Sequence, residues 1–528
     1  MGRIPQLSAG LAALAALALL PAAASEARIN FRSGVAAGEV NAHSAKIWTR
    51  ATEAGNVRAQ VAEDRKFDQI VERVDLQALP ENDFTVQTTV AGLGAGDKYH
   101  YRFCAAGRCS DRGKVKTAPS ASQERKIRFA FSGDTDATAE PSSDTPFHGG
   151  FRVLRSMRRE HNNFNVHLGD TIYSDSGVAG ATDALTTEEK WAKYKLNLEQ
   201  PPMVALRRAT GLYSHWDDHE FINDFSIPEH GQTLYEDGVK AFTDYAPVSF
   251  SDTEGLYRTF RWGRNLELFF LDERSFRDAK VSATDVCDNP DTGGPDLAPT
   301  APQTTRDLFS LLIPSLSQPI SQACKDAIND PTRIFLGQAQ FDAFLADVES
   351  SNAKWKVVMN ETPIQQFYGL PYDRWEGYAY ERVELLNELQ SRDISNLVFL
   401  TTDTHADFAN VVRERTLTGD VAPTNAPGAS PADTPYRDFV AGPVATNTFW
   451  AEIDQVTGGS GNGETLSNAF FRTAPPIGVG MLCSQGDEDS YAEVTVTADR
   501  LKVNYRDADG GPVTDVDASQ CGPYILER

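Results

Sequence analysis

Four apolar runs in this chain end the same way, in a short polar loop that carries aspartate. The loops read Phe131-Ser-Gly-Asp-Thr-Asp136, Gly169-Asp-Thr-Ile-Tyr173, Trp216-Asp-Asp-His-Glu-Phe-Ile-Asn-Asp224 and Leu400-Thr-Thr-Asp-Thr-His405. The second follows the clearest strand: in Phe164-Asn-Val-His-Leu168 apolar and polar residues alternate with a strand's period. Gly169 then lets the backbone turn and delivers Asp170 beyond the strand's C-terminal end. Open α/β sheets bind ligands at that edge, and parallel strands bring their ends to it together. Gathering Asp134, Asp170, Asp218 and Asp403 there, with no lysine in any of the loops, would be strongly repulsive without cations among them. Taken singly, Gly169-Asp170 is a turn, and Asp134 with Asp136 an Asx-turn or helix cap. Taken together, with Asp217-Asp218-His219-Glu220 directly after an aromatic strand, the loops point to a metal centre. Oxygen and imidazole donors select Fe, Mn, Ca or Zn over copper or a thiolate site. Metals sharing a bridging aspartate lower the pKa of a trapped water and clamp a tetrahedral phosphoryl group, which is the chemistry of a phosphoester hydrolase. His167 and His215 lie within strands and read as structural.

The rest of the chain supplies the frame. Apolar runs at 127–131, 164–168, 211–216, 266–271 and 396–401 alternate with helical patterns at 149–159, 188–209, 338–350 and 381–390. That βαβ rhythm predicts an α/β fold with a largely parallel, helix-covered sheet. Residues 281–330, rich in Pro, Thr and Asp, interrupt it as an insertion. A Pro-, Ala- and Gly-rich stretch at 419–435 reads as a loop, and 492–497 with 500–505 as a hairpin. Ahead of this, residues 29–118 form a small all-β domain, with alternating runs at 45–50, 56–61, 85–90 and 98–103 separated by Gly and Asn turns. The catalytic part is expected over 125–528.

Residues 1–24 read as a cleaved signal peptide ending near Ala24: Arg3 is the only charge, 11–20 is apolar, and Ala22-Ala23-Ala24 precedes Ser25. A secreted or periplasmic protein without a membrane anchor is expected. The six cysteines then favour disulfides, and nearest-neighbour pairing gives Cys104–Cys109, Cys287–Cys324 and Cys483–Cys521. The formal charge of −24 argues against a nucleic-acid-binding surface but leaves small phosphorylated substrates open, since bound metal offsets their charge.

In these residues the chain resembles the alkaline phosphatase D (PhoD-like) family of secreted metallophosphatases, which includes some phospholipase D-type phosphodiesterases. The resemblance runs from about Phe31 to Tyr505. It rests on Gly34-Val-Ala-Ala-Gly38, Ile47-Trp-Thr-Arg50, Gly169-Asp-Thr-Ile-Tyr173 and Trp216-Asp-Asp-His-Glu220 with Asn223. Further on it takes in Leu271-Asp-Glu-Arg-Ser-Phe-Arg277, Leu336-Gly-Gln-Ala-Gln340, Trp375-Glu-Gly-Tyr378 and Asp403-Thr-His405. It implies an immunoglobulin-like N-terminal domain and an αββα metallophosphoesterase sandwich holding two or more metal ions, Fe(3+) with Ca(2+), or Mn or Zn. Carried over, Asp170 bridges the metals, Tyr173 ligates the ferric ion, Asp218 or Asn223 holds the second metal, and Asp403 and His405 take remaining positions. By analogy with the wider metallophosphatases, His219 is the general acid or transition-state stabiliser, and Arg274 is a candidate phosphate contact. Asp134 stands where many members have a cysteine, so a hard oxygen replaces a thiolate. The expected reaction is direct hydrolysis of phosphomonoesters by a metal-bridging hydroxide. The alternatives are a phosphodiesterase or phospholipase D-type hydrolase and, more distantly, a non-enzymatic secreted calcium-binding protein.

Overall fold

The computed structural model of the chain describes residues 29–421 and 433–528. The expected signal peptide lies outside the described residues, and so does most of the 419–435 stretch, whose last three residues open a strand instead. Strands β1 (Val35–Gly38), β2 (Ser44–Arg50), β3 (Gly55–Ala62), β4 (Ile70–Ala78), β5 (Thr85–Ala91), β6 (Lys98–Ala105), β7 (Arg108–Cys109) and β8 (Gly113–Lys116) make two small antiparallel sheets. One has the order β1-β2-β5; the other is β4-β3-β6-β7, with β8 pairing β6. The β6–β7 hairpin sets Cys104 opposite Cys109, and the two are bonded. The all-β expectation missed β4, because the alternating Ile70-Val-Glu-Arg-Val-Asp-Leu-Gln-Ala78 leaves half of its residues to solvent.

Beyond residue 126 two larger sheets stack face to face. The first contains β9 (Ile127–Ser132), β10 (Phe164–Leu168) and β11 (Gly211–His215), all parallel. The second is built on β12 (Arg258–Trp262), β13 (Leu266–Phe270), β14 (Trp355–Asn360), β15 (Leu397–Thr401), β16 (Asp407–Arg413), β17 (Asp433–Val440) and β18 (Cys483–Gln485), in the order β12-β13-β14-β15-β17-β16-β18. Finally β19 (Ser490–Val496), β20 (Arg500–Asp507) and β21 (Tyr524–Glu527) return to the first sheet, which reads β11-β10-β9-β19-β20-β21. β19 and β20 are the expected hairpin.

Alternation along the strands explains the layering. Leu268 and Phe270, Val357 and Met359, and Val398 and Leu400 point inward to meet Phe129, Phe131, Phe164 and Val166 of the other sheet. The residues between them, Phe269, Val358 and Phe399, point outward beneath helices. Helices α1 (Arg152–Arg159), α2 (Thr187–Leu198), α3 (Pro201–Arg207) and α4 (Gln232–Tyr245) cover the outer face of the first sheet. α5 (Gln338–Ser350) and α6 (Ala379–Ser391) cover the second. Burying each such Phe or Leu on both sides stabilises the fold by roughly 1.5–3 kcal/mol.

Three expectations need correction. Strand rhythm alone implied one sheet, and there are two. The helix expected at 188–209 is broken at Gln200, because Pro201 and Pro202 have no N–H to continue α2 and instead start α3. The helix expected from 149 begins at Arg152, after Gly149 and Phe151 take positive φ. The insertion is not featureless: it holds short helices at Gln303–Phe309 and Gln322–Ile328 and is tied by Cys287–Cys324. Cys483–Cys521 completes the nearest-neighbour set. Among the described residues, no helix is long and apolar enough to cross a membrane.

Candidate metal centre

The C-terminal ends of β9, β10, β11, β13, β14 and β15 share one edge of the double sheet, and the loops leaving it are knitted together. Asp136 N–H donates to Ala445 O at 2.9 Å and Ala445 N–H to Asp134 O at 3.0 Å. Thr402 Oγ1 donates to Leu168 O, joining the second sheet to the first. Four of the expected ligands on these loops have left-handed backbone: Asp134 (φ 63°), Asp170 (φ 48°), Asp403 (φ 64°) and His405 (φ 54°). Non-glycine residues in that region cost energy and concentrate at functional sites. Gly169, at φ 80°, is needed for a second reason: a Cβ there would lie 2.7 Å from Cβ of Asp217. Gly169→Ala is therefore expected to lower stability by about 1–3 kcal/mol, read as a reduced midpoint in denaturant, while a glycine-to-alanine change at exposed, uncrowded Gly107 should cost less.

Asp134, Asp170 and His405 offer ligand atoms all within 4.8 Å of one another, as do Asp170, Asp218 and His219. Two further groups, Asp217 with Asp218 and Asp403, and Asp218 with Asp224 and Asp373, meet the same limit. Asp170 thus belongs to two groups and Asp218 to three, so the carboxylates form one connected array. Tyr173 Oη lies 2.9 Å from His405 Nε2, and its ring packs against His219 with centroids 4.1 Å apart. Asn223 lines the same cleft, and its backbone N–H donates to Asp175 Oδ2 at 2.9 Å. Six of the expected ligands, all but Asn223, thus each come within hydrogen-bonding or ligand-sharing reach of at least one other. Both carboxylate oxygens of Asp134 and Oδ2 of Asp217 are buried without a hydrogen-bond partner. Hard, unsatisfied oxygens beside an imidazole fit a cation.

The electrostatics agree. Burial pushes the Asp134 carboxyl up to about 6, against the pull of His405 and His219. Burial, with repulsion from Asp218, Asp217 and Glu220, holds Asp170 well above the ordinary carboxylate range, and burial with repulsion from Asp217 and Asp218 does the same to Asp403. Burial likewise raises the Tyr173 phenol, with Asp170 and Asp134 adding to it. Cations among these groups would reverse that penalty.

Several residues without an expected role support the array. Glu220 turns inward and accepts from the backbone N–H groups of Asp170, Thr171 and Asp217 at 3.1, 2.7 and 2.9 Å, shaping two of the loops at once. Asp175 Oδ1 lies 2.6 Å from His219 Nδ1, and Glu452 Oε1 lies 2.9 Å from His405 Nδ1. Each carboxylate fixes the ring so that Nε2 faces the array. Against burial, Asp218 and Asp170 with Asp175 hold the His219 imidazolium pKa well above its usual value. Asp175 was within reach of sequence reasoning, two residues after Tyr173 on the same loop. Glu452, on α7 (Phe449–Thr457), carried no sequence signal.

Arg274 departs from its expected place. Its guanidinium is fully buried, Nε donating to Asp217 Oδ1 at 2.6 Å and Nη1 to Asp373 Oδ2 at 2.7 Å, and it does not line the cleft. There it braces the carboxylates of Asp217 and Asp373 from beneath the cleft. His167 and His215 are buried as expected, bonded near Thr135 Oγ1 and Leu271 O. Over the array lies a cleft of about 800 Å³, whose lining includes Phe309, Phe367, Phe449 and Phe471.

Comparison with known proteins adds kinship to geometry. A sequence model of the PhoD-like phosphatase family matches residues 140–505, and one of the PhoD-like phosphatase N-terminal domain matches residues 16–119. The chain is 25% identical over 425 residues to alkaline phosphatase D of Bacillus subtilis (strain 168); the match covers 72% of this chain and spans only 65% of that relative's length. Among solved structures, PhoD aligns with 94% of this chain and 89% of its own, with a TM-score of 0.70 and 22% identity. A purple acid phosphatase from yellow lupin (Lupinus luteus) seeds aligns with 91% of this chain and 72% of its own, with a TM-score of 0.53 and 12% identity. At those identities the structural likeness is one of fold.

Proposed function

Because the chain belongs to the PhoD-like phosphatase family, we propose that its carboxylate array is the centre of a metal-dependent phosphoester hydrolase acting on small phosphomonoesters. The observation that carries this is the sharing of Asp170 and Asp218 between neighbouring ligand groups, the arrangement a bridged multi-metal site requires. Asp134, Tyr173 and His405 would hold one cation, Fe(3+), with Asp170 shared. Asp218, Asn223 and Asp403 would hold Ca(2+) on the other side. Bound there, the cations would acidify a water and neutralise phosphoryl oxygens. The chain's own residues do the rest. His219, its Nδ1 held by Asp175, gives a proton from Nε2 to the departing alkoxide oxygen. Arg274 and Glu220 keep Asp217 and the loop backbones in place. The cleft's apolar wall receives the alcohol portion of the substrate and keeps water from it. We read residues 29–118 as an immunoglobulin-like domain, 125–528 as the catalytic domain carrying the 281–330 insertion, and the mature protein as secreted or periplasmic.

The volume of the cleft, about 800 Å³, and its four phenylalanines favour one second reading, a phosphodiester with an apolar second arm. Turnover of nitrophenyl phosphate against its bis-ester, each before and after chelation and metal restoration, tests both. The monoester is expected to be the better substrate, and the purified protein to be violet, its visible band absent in Tyr173→Phe. Faster bis-ester turnover would select the second reading, and metal-independent turnover would remove the proposal altogether.

A further inference from the structure

With Arg274 withdrawn beneath the array, the charge of a phosphoryl group needs another cationic contact. Among the described residues, the Lys and Arg side chains lining the cleft are Lys280 and Arg374. Lys280 is already engaged: its Nζ donates to Asp224 Oδ2 at 2.7 Å and lies 3.9 Å from Glu229 Oε1. Arg374 is held by its own loop instead. Its guanidinium carbon stands 3.8 Å from the centroid of the Phe367 ring, Nη2 donates to Gly369 O, and Nε is buried without a hydrogen-bond partner. The nearest carboxylate, Glu376, lies 3.9 Å from Nη2 and spends its oxygens on the N–H groups of Phe367 and Tyr368. Leu370 N–H, donating to Leu297 O at 2.8 Å, pins the same loop to the insertion. The side chain is 11% exposed, so the fork is fixed before any ligand arrives. A guanidinium has five N–H donors in a planar fork that matches phosphate oxygens, and most of these remain uncommitted.

We propose that Arg374, not Arg274, is the residue that contacts a phosphoryl oxygen of the bound substrate. The proposal rests on the phosphoester hydrolase reading above. It also explains how a site so rich in carboxylates would accept a dianion, by pairing its cations with one preset guanidinium at the cleft wall.

The test uses inorganic phosphate as the probe. Its inhibition constant, and kcat and KM for nitrophenyl phosphate, are measured for the parent, Arg374→Gln and Arg374→Lys, together with metal content by elemental analysis. The expected result for Arg374→Gln is phosphate inhibition weakened about 10- to 100-fold, as for a lost charge-assisted hydrogen bond, with metal content kept. Arg374→Lys should recover part of that loss, because the charge returns without the fork. Phosphate inhibition within twofold of the parent in Arg374→Gln would overturn the assignment, as would loss of metal in both variants. A metal-loaded parent that neither hydrolyses the ester nor binds phosphate would instead sink the underlying reading.

Discussion

Asp170→Ala is expected to strip metal and activity together. Asp170 is the residue common to the group with Asp134 and His405 and the group with Asp218 and His219. Its backbone N–H is already held by Glu220, and its Oδ1 accepts from the N–H of His219 at 3.2 Å. Removing the carboxylate would therefore take a shared ligand from two positions and free the His219 N–H, while leaving Glu220's hold on the loop backbone in place. A loss of at least about 10³-fold in kcat/KM, some 4 kcal/mol of transition-state stabilisation, is expected, with metal content falling in parallel. The fold should survive: relieving a buried, repelled carboxylate removes a cost from the metal-free protein. Near-normal metal content in a dead variant would mean that Asp170 serves chemistry alone, and retention of both would end its bridging role.

The second large effect is expected at His219. Its Nδ1 is bound to Asp175, leaving Nε2 as the position from which a proton can be given. His219→Gln should lower kcat by about 10²- to 10⁴-fold, the usual contribution of a positioned acid, with metal content retained. The supporting carboxylate gives a sharper check. Asp175 stabilises the imidazolium, so Asp175→Asn must lower the pKa of His219. The proton is then lost at lower pH, and the alkaline limb of kcat should move toward acid. An unmoved limb would mean that the ring is not the acid. The limb moving toward base is excluded by the sign of the interaction.

Much of this site was legible in the sequence because two simple regularities coincide in it. Each apolar run ends at a polar turn, and parallel strands bring those ends to one edge, so the sequence alone grouped Asp134, Asp170, Asp218 and Asp403. The aromatic strand ahead of Asp217-Asp218-His219-Glu220 marked charged residues that a core would not tolerate without partners. Division of labour within that run was not legible. Asp217 and Glu220 face inward to Arg274 and backbone N–H groups, while Asp218 and His219 face the cleft, and only the turn after β11 decides which. The two arginines show the same limit. A guanidinium suits phosphate and carboxylate alike, so a motif cannot say which of Arg274 or Arg374 meets which. Strand rhythm by itself did not separate the two sheets that the resemblance implied, because strands buried on both faces, such as Leu397-Val-Phe-Leu-Thr401, carry no alternation to show what covers either side. The break before α3, by contrast, was written plainly in Pro201-Pro202.

The central claim is that four loops of one chain hold more than one metal ion around a shared aspartate. Elemental analysis of the purified protein, parent beside Asp170→Ala, tests it most directly. The expected result is more than one metal ion per chain in the parent, iron among them, and a marked loss in the variant. A parent that is fully active with less than one metal ion per chain would contradict it.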